Sequence, residues 1–577
     1  MFLRNATSLR SLLMALVLCA SATAQAAITV NLSYVNQSSA AYNRFRNWVD
    51  QAVSGNVGYG FSANDAVVMY RLTNQSQYCI LARNMVEEQV VAAEAAIAAN
   101  QNPEVQHDSY LYAGAMIGDL ALTYDWCSTF VSASQRTRWA AYTERTISNI
   151  WNPASAQWGG RAAPWSGWGT DDPANNYYYS FLRATMYWAL ASNSNAWISY
   201  LETNKIPPLV NYFALLTGGG SEEGTGYGTS HHKLFELYRV WRDSRTTDLA
   251  NANAHLTDTI SYWLHATVPT RDRFAPYGDQ ARSSVPEFYD YHRHLILEAR
   301  YLTNSAAARD LASWWINNNS VQQMASGFNY RDDLLPPGTS SPLPNAPLTY
   351  RATAIGHLFT RTSWETGATW LSFSAGSYNQ SHAHQDQGSF TLFGGGDWLA
   401  VTENIWSHSG IQQGTEVHNL VRFVKNGTTV RQRSNTVSTM NVLQQGPGPG
   451  EVHVTGDMTA AYQAGSGVNS WQRRLDFTGS SLLVTDQFSV TSGTQAIFQV
   501  NTPVQPVITG NTAKAGNLTV RVLQPAGATL TAVNWRNVDS DFLSGWKLEV
   551  RGSASNTGFV VEMTTGETIF KHGFEQN

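Results

Sequence analysis

Large apolar residues return at every third or fourth position over much of residues 41–319. That spacing is typical of helices with one buried face. It is clearest in residues 111–126 and in residues 132–151, which open on Ser132, a residue type that caps helices. Further helices are predicted at 177–191, 206–216, 231–242, 249–266 and 289–302. Loops containing Gly and Pro separate them, so we predict a helical bundle or toroid with functional loops.

The pattern changes after two proline-containing segments, at residues 336–338 and 342–344. Short runs rich in Val, Leu and Thr follow, bounded by Gly, Asn and Ser, for example at 369–374, 480–485 and 546–550. Such runs at regular spacing are typical of an antiparallel β-sandwich. We therefore predict a multidomain protein, α then β, with a helical domain at 27–344 and an antiparallel β domain at 345–577.

The first 26 residues have the pattern of a signal peptide. Arg4 and Arg10 precede an apolar run at 12–20, and an Ala-rich region predicts cleavage near Ala24 or Ala26. The apolar run is too short to span a bilayer, and the sequence predicts no later membrane helix. We expect an exported protein, periplasmic or extracellular, in which Cys79 and Cys127 could form a disulfide.

The composition narrows the class of ligand. The chain has 577 residues, 43% hydrophobic and 12% aromatic, which argues against disorder. With 37 basic and 42 acidic residues its formal charge is −5, and no basic stripe predicts nucleic-acid binding. An anionic ligand would need a locally basic cleft. Arg161, Lys233 and Arg239 could supply one, or could equally lie on solvated helix faces.

The sharpest motif is the run of titratable residues His382, His384 and Asp386. On a strand, alternate side chains share one face, so these three would project together. Histidine can exchange a proton near neutral pH, and its neutral ring is a metal ligand. The alternative is a solvated strand end.

A zinc site is a second interpretation of the same region. His384, Glu403 and His418 could supply two nitrogens and one oxygen. No spacing brings these three residues together, and His418 fits a structural strand equally well.

A Gly-rich loop at 218–229 leads into the helix that carries His231. Glycines permit close approach of a ligand to the backbone. Tyr227 would stand near the helix N-terminus, where the helix dipole favours a phenolate or an anionic substrate. The alternative is a half-buried loop aromatic.

Another candidate surface precedes the helix predicted to start near Tyr177. Asn175 and Asn176 follow a loop containing Trp168. Their amides could bind a carboxylate, and an exposed Trp168 ring could stack on a sugar. The alternative is that the asparagines cap the helix and the tryptophans of this loop belong to the core.

Several short motifs, taken in order, resemble the heparinase II/III-like polysaccharide lyases and their alginate-lyase relatives. They are YDW at 124–126, EGTGY at 223–227, YGD at 277–279, HAHQDQGSF at 382–390, WLA at 398–400 and HN at 418–419. The resemblance implies an incomplete (α/α) toroid followed by antiparallel β-sheets. It also implies β-elimination at a uronic acid of an anionic polysaccharide.

The resemblance assigns roles to single residues. Asn176 would bind the substrate carboxylate, Tyr227 would be the acid with a second role as base left open, and His382 would act as base or charge stabiliser. Further substrate contacts would come from Asn175, Tyr177, Glu223, Trp168 and Arg239. Metal-binding relatives imply one structural zinc.

Two positions depart from the family pattern. Many relatives have a His where this chain has Tyr177, and a metal-binding Asp where a gapless alignment places Thr402. A shift of one residue on a strand reverses the face, which weakens the zinc prediction.

Other functions stay open at this point. An inverting glycoside hydrolase could use Glu223 and Asp386 as its two carboxylates. A polysaccharide-binding protein could have kept the fold without catalysis, and a uronosyl epimerase would share the proton abstraction. The sequence leaves the polysaccharide and the oligomeric state undetermined.

Overall fold

The computed structural model describes residues 28–279, 286–339, 342, 346–402 and 413–566. The predicted signal peptide and Glu403 lie outside these ranges. Within them, helices come first and strands follow, as the change of hydrophobic period predicts. The predicted domain boundary at residues 344–345 also falls outside the described residues.

The helical domain is an incomplete (α/α) toroid, which confirms the predicted fold class. Its helices are α1 Ala40–Val53, α2 Ala63–Thr73, α3 Ser76–Ala98, α4 Ala113–Trp126, α5 Ala133–Trp151, α6 Asn176–Ala191, α7 Asn195–Tyr200, α8 Ile206–Leu215, α9 His231–Arg245, α10 His255–Ala266, α11 Asp290–Leu302 and α12 Ala306–Asn318. Helices α2, α4, α6, α9 and α11 pack side by side as an inner row. Because an outer segment runs back between consecutive inner helices, their N-termini lie at one rim.

Local sequence signals set several helix starts. The Ser132 hydroxyl accepts from the Gln135 backbone N–H, and the Gln135 side-chain oxygen accepts from the Ser132 backbone N–H. These two hydrogen bonds cap α5 as predicted. The Asn175 side chain accepts from the Tyr177 backbone N–H at 3.0 Å and caps α6. A disulfide joins Cys79 in α3 to Cys127 at the end of α4.

The second part of the chain is antiparallel throughout. Its strands are β3 Thr349–Ala352, β4 His357–Arg361, β5 Trp370–Ser374, β6 Ser377–Tyr378, β7 Phe390–Gly394, β8 Asp397–Ala400, β9 Val421–Lys425, β10 Thr428–Thr429, β11 Thr436–Val437, β12 Thr439–Gln445, β13 Val452–Asp457, β14 Val468–Phe477, β15 Ser481–Val490, β16 Thr494–Thr502, β17 Val507–Thr509, β18 Thr512–Ala515, β19 Leu518–Gln524, β20 Thr529–Asn534, β21 Trp546–Arg551 and β22 Gly558–Thr565. A small hairpin, β1 Gln157–Trp158 with β2 Arg161–Ala162, lies within the helical domain.

These strands form sheets that pack as a sandwich, as predicted. The strand orders are β3-β4-β5-β7-β8, β10-β9-β16-β21-β20 and β12-β13-β14-β15-β22-β19-β18-β17. Alternating burial along β13 and β14 shows one face packed and one face solvated. The packed faces share one apolar core that includes Phe423, Trp471 and Phe498.

A buried ion pair ties this sandwich to the segment that precedes β7. Arg473 and Asp486 are fully buried and joined by two hydrogen bonds of 2.8 Å. The same guanidinium donates to the Gly388 carbonyl at 2.7 Å and to the Asn419 carbonyl at 2.9 Å. The loop that carries His382 and His384 is therefore anchored at its far end to the β core.

Candidate active site

The His motif lies in turns between β6 and β7, so the strand predicted over His382–Asp386 is wrong. The strand begins at Phe390, since Gly388 adopts a φ of +90° just before it. A Cβ there would meet the Trp471 ring at 2.4 Å. Two of the three predicted side chains nevertheless converge, on a residue of the helical domain.

That residue is Asp279, whose carboxylate holds both histidines. Its Oδ2 lies 2.9 Å from His382 Nδ1, and its Oδ1 lies 2.8 Å from His384 Nε2. The Gln413 amide donates to both oxygens, at 3.0 and 2.9 Å. Burial alone would raise the pKa of Asp279, but these hydrogen bonds outweigh burial and hold it well below its usual range.

The ionised carboxylate fixes the histidine tautomers. Since it can only accept, His382 carries its proton on Nδ1 and His384 carries its proton on Nε2. In the neutral rings, His382 Nε2 and His384 Nδ1 then keep their lone pairs. His382 Nε2 is therefore the candidate position for a base, and His384 Nδ1 the candidate position for a metal ligand.

Tyr227 stacks on His382, with ring centroids 3.6 Å apart and planes 9° from parallel. Tyr227 begins the short 3₁₀ turn that leads into α9. The stack therefore joins the toroid rim to the β-domain loop and brings together a phenol and an imidazole 155 residues apart in sequence.

Close backbone packing beneath this stack requires glycine. Gly278 has a φ of +68°, and a Cβ there would lie 2.7 Å from the carbonyl oxygens of both Glu223 and His382. The Asp279 N–H donates to the His382 carbonyl at 2.8 Å. The YGD segment thus aligns the two domains at the site.

Asn175, Asn176 and Tyr177 lie at the start of α6, on the same rim. Asn175 is buried and its side chain caps the helix, so the structure assigns it the capping role. Asn176 is the first helical residue, and its buried Oδ1 has no hydrogen-bond partner among the described residues. The Tyr177 hydroxyl donates to Asp108 at 2.9 Å.

The Asp108 contact depends on an unusual backbone. Asp108, Ser109 and Tyr110 are consecutive non-glycine residues with φ values of 46°, 52° and 64°. Burial and the Asp108 contact raise the pKa of Tyr177 to about 12, and the nearby Tyr227 contributes to the rise. Tyr177 therefore stays a phenol beside the catalytic candidates.

Two carboxyl groups near the site lie below its surface. Glu223 is 1% exposed, and neither of its oxygens has a hydrogen-bond partner in the described residues. Burial, with smaller effects from Asp172 and Asp279, raises its pKa to about 8. Burial also raises the pKa of Asp386 to about 6.

The remaining substrate-binding candidates differ in their exposure and in their pairing. Arg239 makes hydrogen bonds of 2.9 and 2.8 Å to the buried Glu298 carboxylate, so its prediction as a substrate contact is wrong. Its guanidinium is already paired inside the helical layer. Trp168 is 50% exposed, as a sugar-stacking ring must be. Arg161 binds the Asn102 side chain.

His384 and His418 lie next to each other, with ring centroids 5.2 Å apart. Their free nitrogens, His384 Nδ1 and His418 Nε2, are buried and have no partner in the described part of the chain. His418 Nδ1 is 3.5 Å from the Thr402 hydroxyl. Burial, with His384 nearby, holds the pKa of His418 well below its usual range, so the ring is neutral.

These orphaned nitrogens fit a zinc ion, which binds neutral imidazole. The Asp279 carboxylate behind His384 has the usual place of an outer partner of a metal-bound histidine. Among the described residues no complete group of three His, Cys, Asp or Glu ligands occurs, and Glu403 lies outside them.

Asp279, Gln413 and Asp108 are site residues to which the sequence assigned no role. Asp279 stands in the YGD motif, which is a usable signal, although its partner His382 is 103 residues away. Nothing in the sequence around Asp108 or Gln413 marks them.

Comparison with known proteins finds similarity in the β domain and in the overall fold. Residues 352–565 match the family model of the heparinase II/III-like C-terminal domain. No curated protein matches the chain in sequence. The β domain of this chain is therefore similar to the C-terminal domain of heparinase II/III-like proteins.

Solved structures share the fold across both domains. A heparinase III structure superposes with a TM-score of 0.61 at 12% identity, covering 93% of this chain and 80% of that chain. The heparan sulfate lyase HepC from Pedobacter heparinus gives 0.56 at 12%, covering 93% and 86%. The chondroitin AC lyase of Streptomyces coelicolor A3, in complex with chondroitin sulphate, gives 0.54 at 11%, covering 92% and 81%.

No helix in the described ranges is long and apolar enough to cross a membrane.

The raised pKa of Glu223 predicts a pH-dependent stability. Between an unfolded value near 4.5 and a folded value of about 8, the folded state retains a proton that the unfolded state has lost. The wild type should therefore lose roughly 1 kcal/mol of stability per pH unit through this group as pH rises. Glu223→Gln removes that loss, so its thermal stability relative to wild type should increase steadily from pH 5 to pH 8.

Glu222→Gln, at the neighbouring and less buried position, is the control for removing a carboxyl group from this loop. A constant difference between Glu223→Gln and wild type across this range would contradict the burial of a protonated Glu223.

Proposed function

We propose that the protein is an exported polysaccharide lyase that cleaves a uronic-acid-containing polysaccharide by β-elimination. The observation that carries the proposal is the stacked pair of Tyr227 and His382, with His382 oriented by an ionised Asp279. Elimination needs an acid, a base and a group that neutralises the substrate carboxylate. This cleft holds a candidate for each.

Asn176 and the N-terminus of α6 neutralise the uronate carboxylate. The Asn176 amide can donate to it, and the helix dipole favours negative charge at this end. Neutralising the carboxylate lowers the cost of removing the proton from the adjacent C5. Tyr177, held by Asp108, lies beside Asn176 where many relatives have histidine.

His382 Nε2 removes the C5 proton, and the electron pair forms the C4–C5 double bond. The C4–O bond breaks, and the Tyr227 hydroxyl protonates the departing glycosidic oxygen. No water is consumed. Asp279 keeps the Nδ1 proton of His382 in place and stabilises the imidazolium that forms, as the carboxylate does in other His–Asp pairs.

An inverting hydrolase fits this cleft less well. Its base must be an ionised carboxylate. The two candidates, Glu223 and Asp386, are only 1% and 7% exposed, so both lie below the surface of the cleft, away from a bound glycosidic linkage.

The expected activity appears as an absorbance change. Purified protein with a panel of uronic-acid polysaccharides should produce rising ultraviolet absorbance, from a double bond conjugated to the carboxylate. Tyr227→Phe should lower the rate about 10²- to 10⁴-fold, because it removes the proton donor. Tyr238→Phe, a buried residue of helix α9, which follows the turn of Tyr227, should leave the rate near wild type.

New reducing ends without this absorbance would instead favour hydrolysis. Polysaccharide binding with neither signal would favour the non-catalytic alternative.

We further propose that His384 and His418 hold one structural zinc, with Glu403 as the predicted third ligand. A bound zinc would fix the two neutral rings, and through His384 it would stiffen the loop that carries His382. It takes no part in the elimination steps above.

Metal analysis of the purified protein should then find about one zinc per chain. His418→Ala should lose the metal and lower the melting temperature. Chelator treatment should lower the melting temperature of the wild type but leave that of the variant unchanged. Equal metal content in both proteins would contradict the site.

The disulfide and the predicted signal peptide support export. Cys79 and Cys127 are bonded, and structural disulfides persist in oxidising compartments. We place the protein in the periplasm or outside the cell.

A further inference from the structure

The cleft around Tyr227 is rich in acids, although its proposed substrate is an anion. Its acidic side chains are Asp108, Asp172, Glu222, Glu223, Asp279 and Asp386. Burial raises the pKa values of Asp172, Glu223 and Asp386, which reduces their negative charge. A polyanion still needs positive charge to bind here.

Lys233 is a cation on the wall of the cleft that the helical domain forms. It lies in the first turn of α9, directly after the turn that carries Tyr227, and its side chain is exposed to solvent. Desolvation by the surrounding protein lowers its pKa, the nearby Arg183 adds to this effect, and Glu236 opposes it. No hydrogen bond or ion pair to Lys233 forms within the described residues.

The other basic residues of this wall are already paired. Arg183 lies 3.9 Å from Asp119 and 3.7 Å from Glu236, and it is largely buried. Arg239 is paired with Glu298, and Lys205 lies 3.0 Å from Asp171. Lys233 therefore differs from its neighbours in being both exposed and unpaired in the described structure.

Arg431 is the corresponding cation on the wall of the cleft that the β domain forms. The residue next to it, Gln432, is buried and bound to the His loop at three points. Its N–H donates to the Gln385 side chain at 3.1 Å, its amide donates to the Gln387 carbonyl at 2.8 Å, and its side-chain oxygen accepts from the Gln387 N–H at 3.0 Å.

This clamp fixes the Arg431 backbone against the loop of His384 and Asp386, while the Arg431 side chain is exposed. Tyr378 is near enough to both Arg431 and Asp386 for their charges to act on it. Burial raises the pKa of Tyr378, Asp386 adds to the rise, and the Arg431 guanidinium opposes it. Arg431 forms no ion pair among the described residues.

We propose that Lys233 and Arg431 bind acidic groups of the polysaccharide from the two walls of the cleft. The inference rests on the proposed function and narrows its substrate class, because it requires acidic groups on more than the one sugar that undergoes elimination. Either carboxylates or sulfates would satisfy the two cations. Each forms charge-assisted hydrogen bonds with anionic oxygens, and Arg can do so in a bidentate manner.

Binding can be tested separately from catalysis in a Tyr227→Phe background. The probes are polyglucuronate oligomers, which carry only carboxylates, and heparan sulfate oligomers of the same length, which also carry sulfates. Calorimetry should show Lys233→Gln and Arg431→Gln each weakening the binding of at least one probe by about 10-fold or more. The salt dependence of binding should also decrease.

Arg433→Gln is the matched control. Arg433 is exposed on the same segment, but among the described residues its charge is not one of those that shift the pKa of Tyr378. Its affinity and salt dependence should match those of the parent protein. A preference for the sulfated or the unsulfated probe identifies which anion the two cations accept.

Unchanged affinity in both cation variants, or no binding of either probe by the Tyr227→Phe protein, would overturn the inference. If the probes bind and the cation variants weaken them, but the wild type produces no unsaturated product, the proposed function fails while this inference stands.

Discussion

The candidate site depends on one carboxylate. Asp279 belongs to the helical domain, and its partners His382, His384 and Gln413 come from the β domain. An ionised carboxylate without exposure to water is costly unless its oxygens are fully hydrogen-bonded. The two domains must therefore stay in register to keep Asp279 satisfied, and that register brings Tyr227 against His382.

The same carboxylate organises the charges around it. Hydrogen bonds lower the pKa of Asp279, whereas burial raises the pKa of Glu223, which has no hydrogen-bond partner among the described residues, to about 8. Two carboxyl groups with opposite shifts in one cleft give one fixed charge and one neutral group. The fixed charge lies behind His382, the proposed base.

The two halves of the fold follow from hydrophobic periodicity, because burial of one helix face or one sheet face leaves a strong pattern in the sequence. The site itself leaves a weaker pattern in the sequence. The sequence motif identified His382 and His384, but as strand neighbours; the strand begins only at Phe390, after the Gly388 turn that packs on Trp471. That contact joins residues 83 positions apart, so no local signal carries it.

Contacts between residues distant in sequence also explain why the contacts of Arg239 and Asp108 differ from the sequence prediction. Arg239 lies on an inner helix whose polar face meets another helix, and the sequence alone cannot tell a solvent-facing cation from one paired with Glu298. Asp108 reaches Tyr177 only through consecutive residues with positive φ, a conformation that non-glycine residues seldom adopt and that propensity does not predict. Functional sites are where such departures are expected.

In the proposed elimination, the glycosidic linkage breaks without water. Digestion of a cleaved polysaccharide in water enriched in ¹⁸O tests this step, with the product oligosaccharides weighed by mass spectrometry immediately after cleavage. Elimination should give an unsaturated uronate at each new non-reducing end and should introduce no solvent oxygen. One ¹⁸O atom incorporated per cleavage, with saturated ends, would mean hydrolysis and would contradict it.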